Sequence, residues 1–297
     1  MACFATPYGL RYAAHCFNRA DAQNNRPALI PAGGNLGVTS PRRRMTVRDL
    51  LTTVNTETGV IHVPRLASRD NRAAIAPELT EKNESSYTFD LEPVQIHTIA
   101  HHTSASRQIL SDVPQLRDLI DGELRYGLAL AEEAELLFGA GGPANVLGMT
   151  SVAAEFESSF SPDLENMIDQ IGLALLQVAL TDVPPDGVIV HPSDWFRMRL
   201  LKNEVGEYLL GAPGAQVEPR LFGLPVVATQ AMQPGHFLAG AFAAQTLYDR
   251  QAPVVMLSTE HGDNFIRNRV TLLAEERIGF VAKQPESLVF GAYEPES

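Results

Sequence analysis

A chain of 297 residues, 45% hydrophobic and 20% charged with a net charge of −12, has the composition of a soluble globular protein with a sizeable core, as one large domain or two small ones. No apolar run reaches the length of a membrane-crossing helix, and the polar start lacks the apolar stretch of a secretory signal. The two cysteines, Cys3 and Cys16, point to a reducing compartment without a disulfide framework or cysteine zinc site.

Residues 1–45, including "NNRPALIPAGGNLGVTSPRRR", are rich in Asn, Pro, Gly and Arg without periodicity and are predicted to form an extended arm. Residues 1–48 hold seven arginines and one acid, Asp21, so the negative charge lies on the remainder. Such a basic arm either contacts the acidic body of another copy or a polyanion, or is a solvated tail. The acidic body itself would repel phosphate and is not a sequence-reading nucleic-acid domain.

"MTVRDLLTTV" (45–54) reads as a short ordered element. Two strand-like runs, "GVIHVPRLA" and "SSYTFDLEPVQIHT", flank a polar centre, "SRDNRAAIAPELTEKNE". A connection that long signals function or disorder, and the pattern predicts a long protruding hairpin. A helix follows in "SDVPQLRDLIDGELRYGLALAEEAELLFGAGG", with Ser111 or Asp112 to cap it, Pro114 in its first turn and Gly139 at its end. Leu116, Ile120, Leu124, Gly127, Ala131 and Ala134 share one face. At 1.5 Å per residue this is a rod of roughly 37 Å.

A second helix is predicted over 163–180, with Leu164, Ile168, Ile171, Leu175 and Val178 on one side. "DGVIV" (186–190) reads as a buried strand and "HPSDWFRMRLLKNE" as a helix capped by Ser193. "FGLPVVAT" (222–229), "HFLAGAFAA" (236–244) and "APVVMLSTE" (252–260) are strands between Gly/Pro turns. The class is α+β.

Chemistry is sparse. His97, His101 and His102 in "HTIAHH" lie on a strand, which puts His97 and His101 about 13 Å apart, beyond one metal with bonds of about 2 Å. "GAGGPANVLG" follows a helix, whereas phosphate loops precede one. His191, Ser193 and Asp194 are neighbours in sequence, which does not make a triad, and Ser193 is assigned to the cap. No nucleotide, haem or metal signature is present, so no cofactor and no metal site is expected. A strand from Arg269 to Phe280 carries Asn268 at its mouth and Glu275, Glu276 and Arg277 along it. Asn268 and Glu275, seven apart, would lie about 23 Å from each other on opposite faces. Either they are unrelated surface residues, or a site is built from several copies of the chain.

"IAHHTSASRQILSDVPQLRDLIDGELRYGLALAEEAELLFGAGG" closely resembles the spine-helix region of the major capsid proteins of tailed phages of the Hong Kong 97 type. "RRRMTVRDLL", "GVIVHPSDWFRMRLLKNEVGEYLLGAP", "FGLPVVAT", "LYDR" and "DNFIRNRVTLLAEERIGF" extend the resemblance from about Arg42 to the C-terminus, in the same order. It implies the HK97-like capsid fold: an N-terminal arm (1–45), an extension loop hairpin (53–90), a peripheral domain with the long spine helix (46–52, 91–154 and 246–297) and an axial domain (155–245). Arm and loop would lie across neighbouring subunits in a closed symmetric assembly.

In the founding phage a loop lysine attacks a neighbour's asparagine, with a glutamate assisting, and forms an isopeptide bond. The resemblance places Lys82 of "TEKNESSYTF" at the lysine, Asn268 of "FIRNRVTLL" at the asparagine and Glu275, the first Glu of "AEER", at the glutamate. Asn83 follows Lys82 where the founding member has proline. The implied function is a structural one, without turnover: hexamers and pentamers of an icosahedral virion head around double-stranded DNA bound without sequence preference. Assembly in the bacterial host cytoplasm, a portal protein, a scaffold protein, decoration proteins and no membrane belong to the same expectation. The founding precursor carries a removable N-terminal scaffolding segment, so either a separate scaffold or a processed chain is implied. The alternatives are an encapsulin-type or gene-transfer-agent shell of the same fold, and a cytosolic α+β enzyme using His191, Asp194 or the His97–His102 cluster.

Overall fold

The computed structural model describes residues 47–78, 81–112, 114–160, 162, 166–203, 205–211 and 218–293. The arm expected over residues 1–45 lies outside them. Helix α1 (Val47–Leu50) leads into β1 (Thr52–Asn55), and the hairpin follows as β2 (Val60–Asp70) and β3 (Ser86–Gln95). After β4 (His97–Ser106) and the short α2 (Arg107–Asp112) comes the long α3 (Pro114–Phe138). Helix α4 (Met149–Val152), β5 (Ala154–Glu155), α5 (Met167–Ala179), β6 (Gly187–Val190) and α6 (Pro192–Leu200) form the middle of the chain. It closes with β7 (Arg220–Leu221), β8 (Leu224–Ala228), β9 (His236–Gly240), β10 (Thr246–Ser258), β11 (Arg269–Val281) and β12 (Leu288–Ala292).

A four-stranded sheet in the order β1-β10-β11-β4 is covered on one face by α3. Alternation puts Leu272 and Ala274 of β11 on that face, packed against Leu124 and Leu128 of the helix. Gly127, an unfavourable residue in a helix interior, has a packing reason. A Cβ there would stand 2.6 Å from Cε1 of His101, whose Nε2 lies 2.8 Å from the Leu124 carbonyl oxygen. The helix ends at Gly139 as its sequence predicts.

A six-stranded sheet runs β5-β12-β9-β6-β8-β7. Ile171, Ala174, Leu175 and Val178 of α5 bury against Val188, Val190, Phe237, Ala239 and Val289. Helix α5 starts at Met167, later than expected, because Asn166 and Asp169 form a reciprocal capping box. A third cluster joins the two sheets: Leu136 and Leu137 at the end of α3 meet Ile189, Leu238, Phe242, Leu247, Ile278, Phe280 and Leu288.

Further expectations change. The cap of α6 is His191, whose side chain accepts the Ser193 backbone N–H; Ser193 lies inside the helix. Strand β12 pairs antiparallel with β9 and parallel with β5, so a segment 246–297 kept in one domain would divide hydrogen-bonded neighbours. At the other boundary, β1 pairs parallel with β10 and the hairpin runs from Val60 to Gln95, so a loop spanning 53–90 starts inside one sheet and stops short of the hairpin's base.

Among the described residues of the hairpin only Val63 is buried. Its strands extend roughly 33 Å at 3.3 Å per residue. On β3, Tyr87, Phe89 and Leu91 alternate onto one face, with Leu66 opposite Phe89 and Pro64 opposite Leu91. That apolar stripe is left uncovered by the described residues: Phe89 is 64% and Leu91 67% exposed.

Candidate crosslinking site

Lys82 lies exposed in the loop at the far end of the hairpin. The loop's two sides are tied together: the Arg72 N–H donates to Ser85 Oγ at 3.1 Å, and Asn83 Nδ2 donates to the Arg72 carbonyl at 3.1 Å. Thus Asn83, next to the lysine, has a defined role in holding the loop.

Asn268 sits at the corner where the chain enters β11. It adopts a left-handed φ of 52°, a conformation asparagine tolerates better than most residues. Its carbonyl accepts the Arg107 N–H at 2.9 Å, which ties the corner to the end of β4. Beneath it, Asn264 Nδ2 donates to Thr271 Oγ1 at 2.8 Å, both buried. The Asn268 side chain is exposed.

Glu275 stands in the middle of β11, opposite Ala100 of β4 and Val254 of β10. The register and the alternation put it on the sheet face away from α3. Gln251 Nε2 donates to its Oε1 at 3.1 Å, and Arg277 Nη2 is 3.7 Å from the same oxygen. Within one chain the three residues stand on three separate pieces: the hairpin tip, a strand entrance and a strand centre. Asn268 and Glu275 are seven positions apart along an extended segment, about 23 Å. One protomer therefore does not assemble the set.

A charged site that sequence reasoning passed over lies on the other face of the same strand. Glu276 is fully buried, and among the described residues neither carboxylate oxygen has a hydrogen-bond partner. Arg48 of α1 reaches both Glu132 of α3 and Asp249 of β10 at 2.5 Å. Burial, then the nearby Glu132 charge, push the Glu276 carboxyl up to about 7; Arg48 acts against the shift and Asp249 with it. Burial also raises Glu132, with Arg48 opposing. The signal for Glu276 was present: it is in phase with Val270, Leu272, Ala274, Ile278 and Phe280, all buried.

The other candidates are structural. His191 caps α6, its Nδ1 2.6 Å from Ser193 Oγ. Asp194 is buried and accepts the Gly235 N–H at 2.7 Å and an Arg197 guanidinium N–H at 3.3 Å. His97 and His101 share the helix-facing side of β4 while His102 points to the other, and among the described residues no three His, Cys, Asp or Glu cluster to hold a metal. No described helix is long and apolar enough to cross a membrane.

Comparison with known proteins places this architecture. The model of the phage capsid family matches residues 37–293. The major capsid protein of Enterobacteria phage HK97 is 35% identical over 291 residues, 95% of this chain and 74% of that protein. Among solved structures, a chain of Mycobacterium phage Bobi superposes with a TM-score of 0.71 at 16% identity, over 88% of this chain and 94% of its own. The capsid of a native GTA particle does so with a TM-score of 0.70 at 16% identity, over 90% and 96%. The structural neighbours share the fold, α+β and of the HK97 type, and the sequence match extends nearly the full chain. This chain belongs to the phage capsid family.

Proposed function

We propose that the chain is the major subunit of an icosahedral phage head, assembling into hexamers and pentamers around double-stranded DNA, and that neighbouring subunits become joined by a Lys82–Asn268 isopeptide bond with Glu275 assisting. The observation that carries this reading is the separation of the three groups. A lysine on an outstretched hairpin, an asparagine at a strand entrance and a carboxylate on a strand face can meet only where copies meet. In this reading the hairpin, 60–95, is the extension loop. The sheet with α3 is the peripheral domain, and 155–245 with β12 is the axial domain. A portal, a scaffold and decoration proteins complete the expected set of partners.

The chemistry is a transamidation. Lysine has an ordinary pKa near 10.4, roughly, so attack requires the neutral amine, which apolar surroundings favour. The Lys82 Nζ to Asn268 Cγ bond forms, the Cγ–Nδ2 bond breaks, and ammonia leaves. Glu275 accepts a proton from the attacking nitrogen and returns it to the leaving one, ending as it began. Holding the groups in contact inside a lattice supplies most of the advantage, and each subunit reacts once.

Denaturing gels of mature particles test the reading: covalent ladders are expected, and monomers alone from wild-type shells reject crosslinking. A gene-transfer-agent shell is the second reading, favoured by the likeness to a GTA capsid. Sequencing the packaged DNA separates the two, since one phage genome supports the head and mixed host fragments support the agent.

A further inference from the structure

Two single-residue bulges flank Gln251 in β10. Asp249 stands opposite Ile278 and Gln251 opposite Arg277, so one residue of β10 is extra; between the Gln251–Arg277 and Val254–Glu275 pairs a second is inserted. Bulges bend a strand and re-aim its side chains, and they are frequent beside functional sites. Pro253, which cannot donate to a ladder, sits within the second bulge, the position where a strand tolerates it.

The consequence is a specific contact. Gln251 Nε2 donates to Glu275 Oε1 at 3.1 Å, and the Arg277 guanidinium lies 3.7 Å from that same oxygen. Among the described residues both contacts fall on Oε1, so Oε2 is the oxygen left to handle a proton. Around Glu275 the strand neighbours are apolar: Ala100 on one side and Val254 on the other. Met256 and Leu273 are the next pair along the same face. A carboxylate on such a floor has few other groups to fix its rotation.

Resting on the crosslinking reading above, we propose that Gln251 is a positioning residue for the bond: it anchors Glu275 through Oε1, with Arg277 beside it, so that Oε2 takes the proton of the arriving Lys82 amine and passes it to the departing ammonia. Gln251 touches no reacting atom. It acts through the carboxylate it holds, and a carboxylate free to turn loses part of the benefit of alignment.

The test times ladder formation in purified particles of wild type, Gln251→Met, Gln251→Leu and Gln251→His. Methionine and leucine keep an apolar side chain of similar size without a donor; histidine restores an N–H donor. Met and Leu particles are expected to match wild type in micrographs and in thermal transition before crosslinking, yet to form ladders about tenfold to a hundredfold more slowly. The His variant is expected to recover most of the rate, which a purely structural role would not predict. Glu275→Gln is the control that forms no ladder. If a variant does not assemble alone, co-assembly with wild-type chain in excess keeps the readout, as a ladder shortened in proportion to the variant. Wild-type rates in Met and Leu particles, or His particles as slow as Leu, overturn the assignment of Gln251 while leaving the crosslink standing. A wild type without ladders removes the crosslink itself, and the assignment with it.

Discussion

Asn268 and Arg107 are joined at the corner of the four-stranded sheet: the Asn268 carbonyl accepts the Arg107 N–H at 2.9 Å while Asn268 holds a φ of 52°. The corner therefore makes two separate demands on one residue, a left-handed backbone and, in the proposed reaction, a carboxamide to be attacked. Asn268→Gly satisfies the first alone and Asn268→Asp keeps both shape and backbone while removing the ammonia leaving group. Both variants are expected to form particles of normal size with no covalent ladder. Asn268→Val is expected to lose about 1–3 kcal/mol of stability, because a β-branched residue is strained in that region. Micrographs, denaturing gels and intact mass, which loses one ammonia per link in the wild type, check all three.

Glu276 gives a pH dependence whose sign follows from its surroundings. Its carboxyl is raised from an ordinary 4.5 to about 7, first by burial and then by Glu132. The folded chain thus holds this proton more tightly than the unfolded chain does. Its favourable contribution is fully present below pH 4.5 and is lost as pH rises through about 7. At 1.36 kcal/mol per unit, roughly, the loss is on the order of 3 kcal/mol. Glu276→Gln is expected to remove that slope and to be more stable than wild type above pH 7. Urea midpoints of unassembled subunits, measured across pH 4 to 8, check it; parallel wild-type and variant profiles would refute it.

From α1, Arg48 pairs with Glu132 and Asp249 and its charge also acts on Glu276. Removing the half-buried Arg48 leaves two largely buried carboxylates uncompensated, and the cost approaches the roughly 3–5 kcal/mol of a broken buried pair. Arg48→Met is therefore expected to be among the most damaging single changes in the chain. Arg48→Lys should recover only part of the loss, since an ammonium cannot fork to two carboxylates as a guanidinium does. Thermal melts of the unassembled subunit give the comparison.

How far the residues themselves announced this arrangement depends on the range of the interaction. Helix α3 was legible in its body and at its end, because Pro114 and Gly139 are local signals and its apolar face repeats at helical spacing. Its expected caps were not, since Ser111 and Asp112 lie inside α2, where the Ser111 hydroxyl donates to the Gln108 carbonyl at 2.9 Å. The hairpin was legible for the same reason, through two alternating runs around a polar centre. Strand β10 was expected only over 252–260 but begins at Thr246. Its bulges at Arg250 and near Pro253 interrupt the alternation that marks a strand. The parallel pairing of β1 with β10, and β12 crossing into the other sheet, are contacts between segments distant in sequence and leave no local trace. At the candidate site, spacing alone excluded a one-chain arrangement of Asn268 and Glu275. It did not bring Gln251 beside Glu275, because that contact depends on the register of two strands.

The hairpin's uncovered stripe separates folding from assembly. A two-stranded hairpin is marginal alone in water, and this one, among its described residues, buries only Val63 while presenting Leu66, Tyr87, Phe89 and Leu91 to solvent. Phe89 at 64% and Leu91 at 67% exposure contribute little to the protomer's own core. Surface substitutions that touch no such core shift stability by about 0.5 kcal/mol or less. Phe89→Ser and Leu91→Ser are accordingly expected to leave the melting of unassembled subunits unchanged. On a neighbouring copy, however, each buried side chain of this size is worth about 1.5–3 kcal/mol, and a closed shell repeats the contact at every subunit. The double variant is expected to stay as capsomers or smaller species under conditions in which wild type forms particles, as read by light scattering. Normal particle yields from the double variant would mean that the stripe faces solvent in the assembled shell, and that some other surface holds the hairpin.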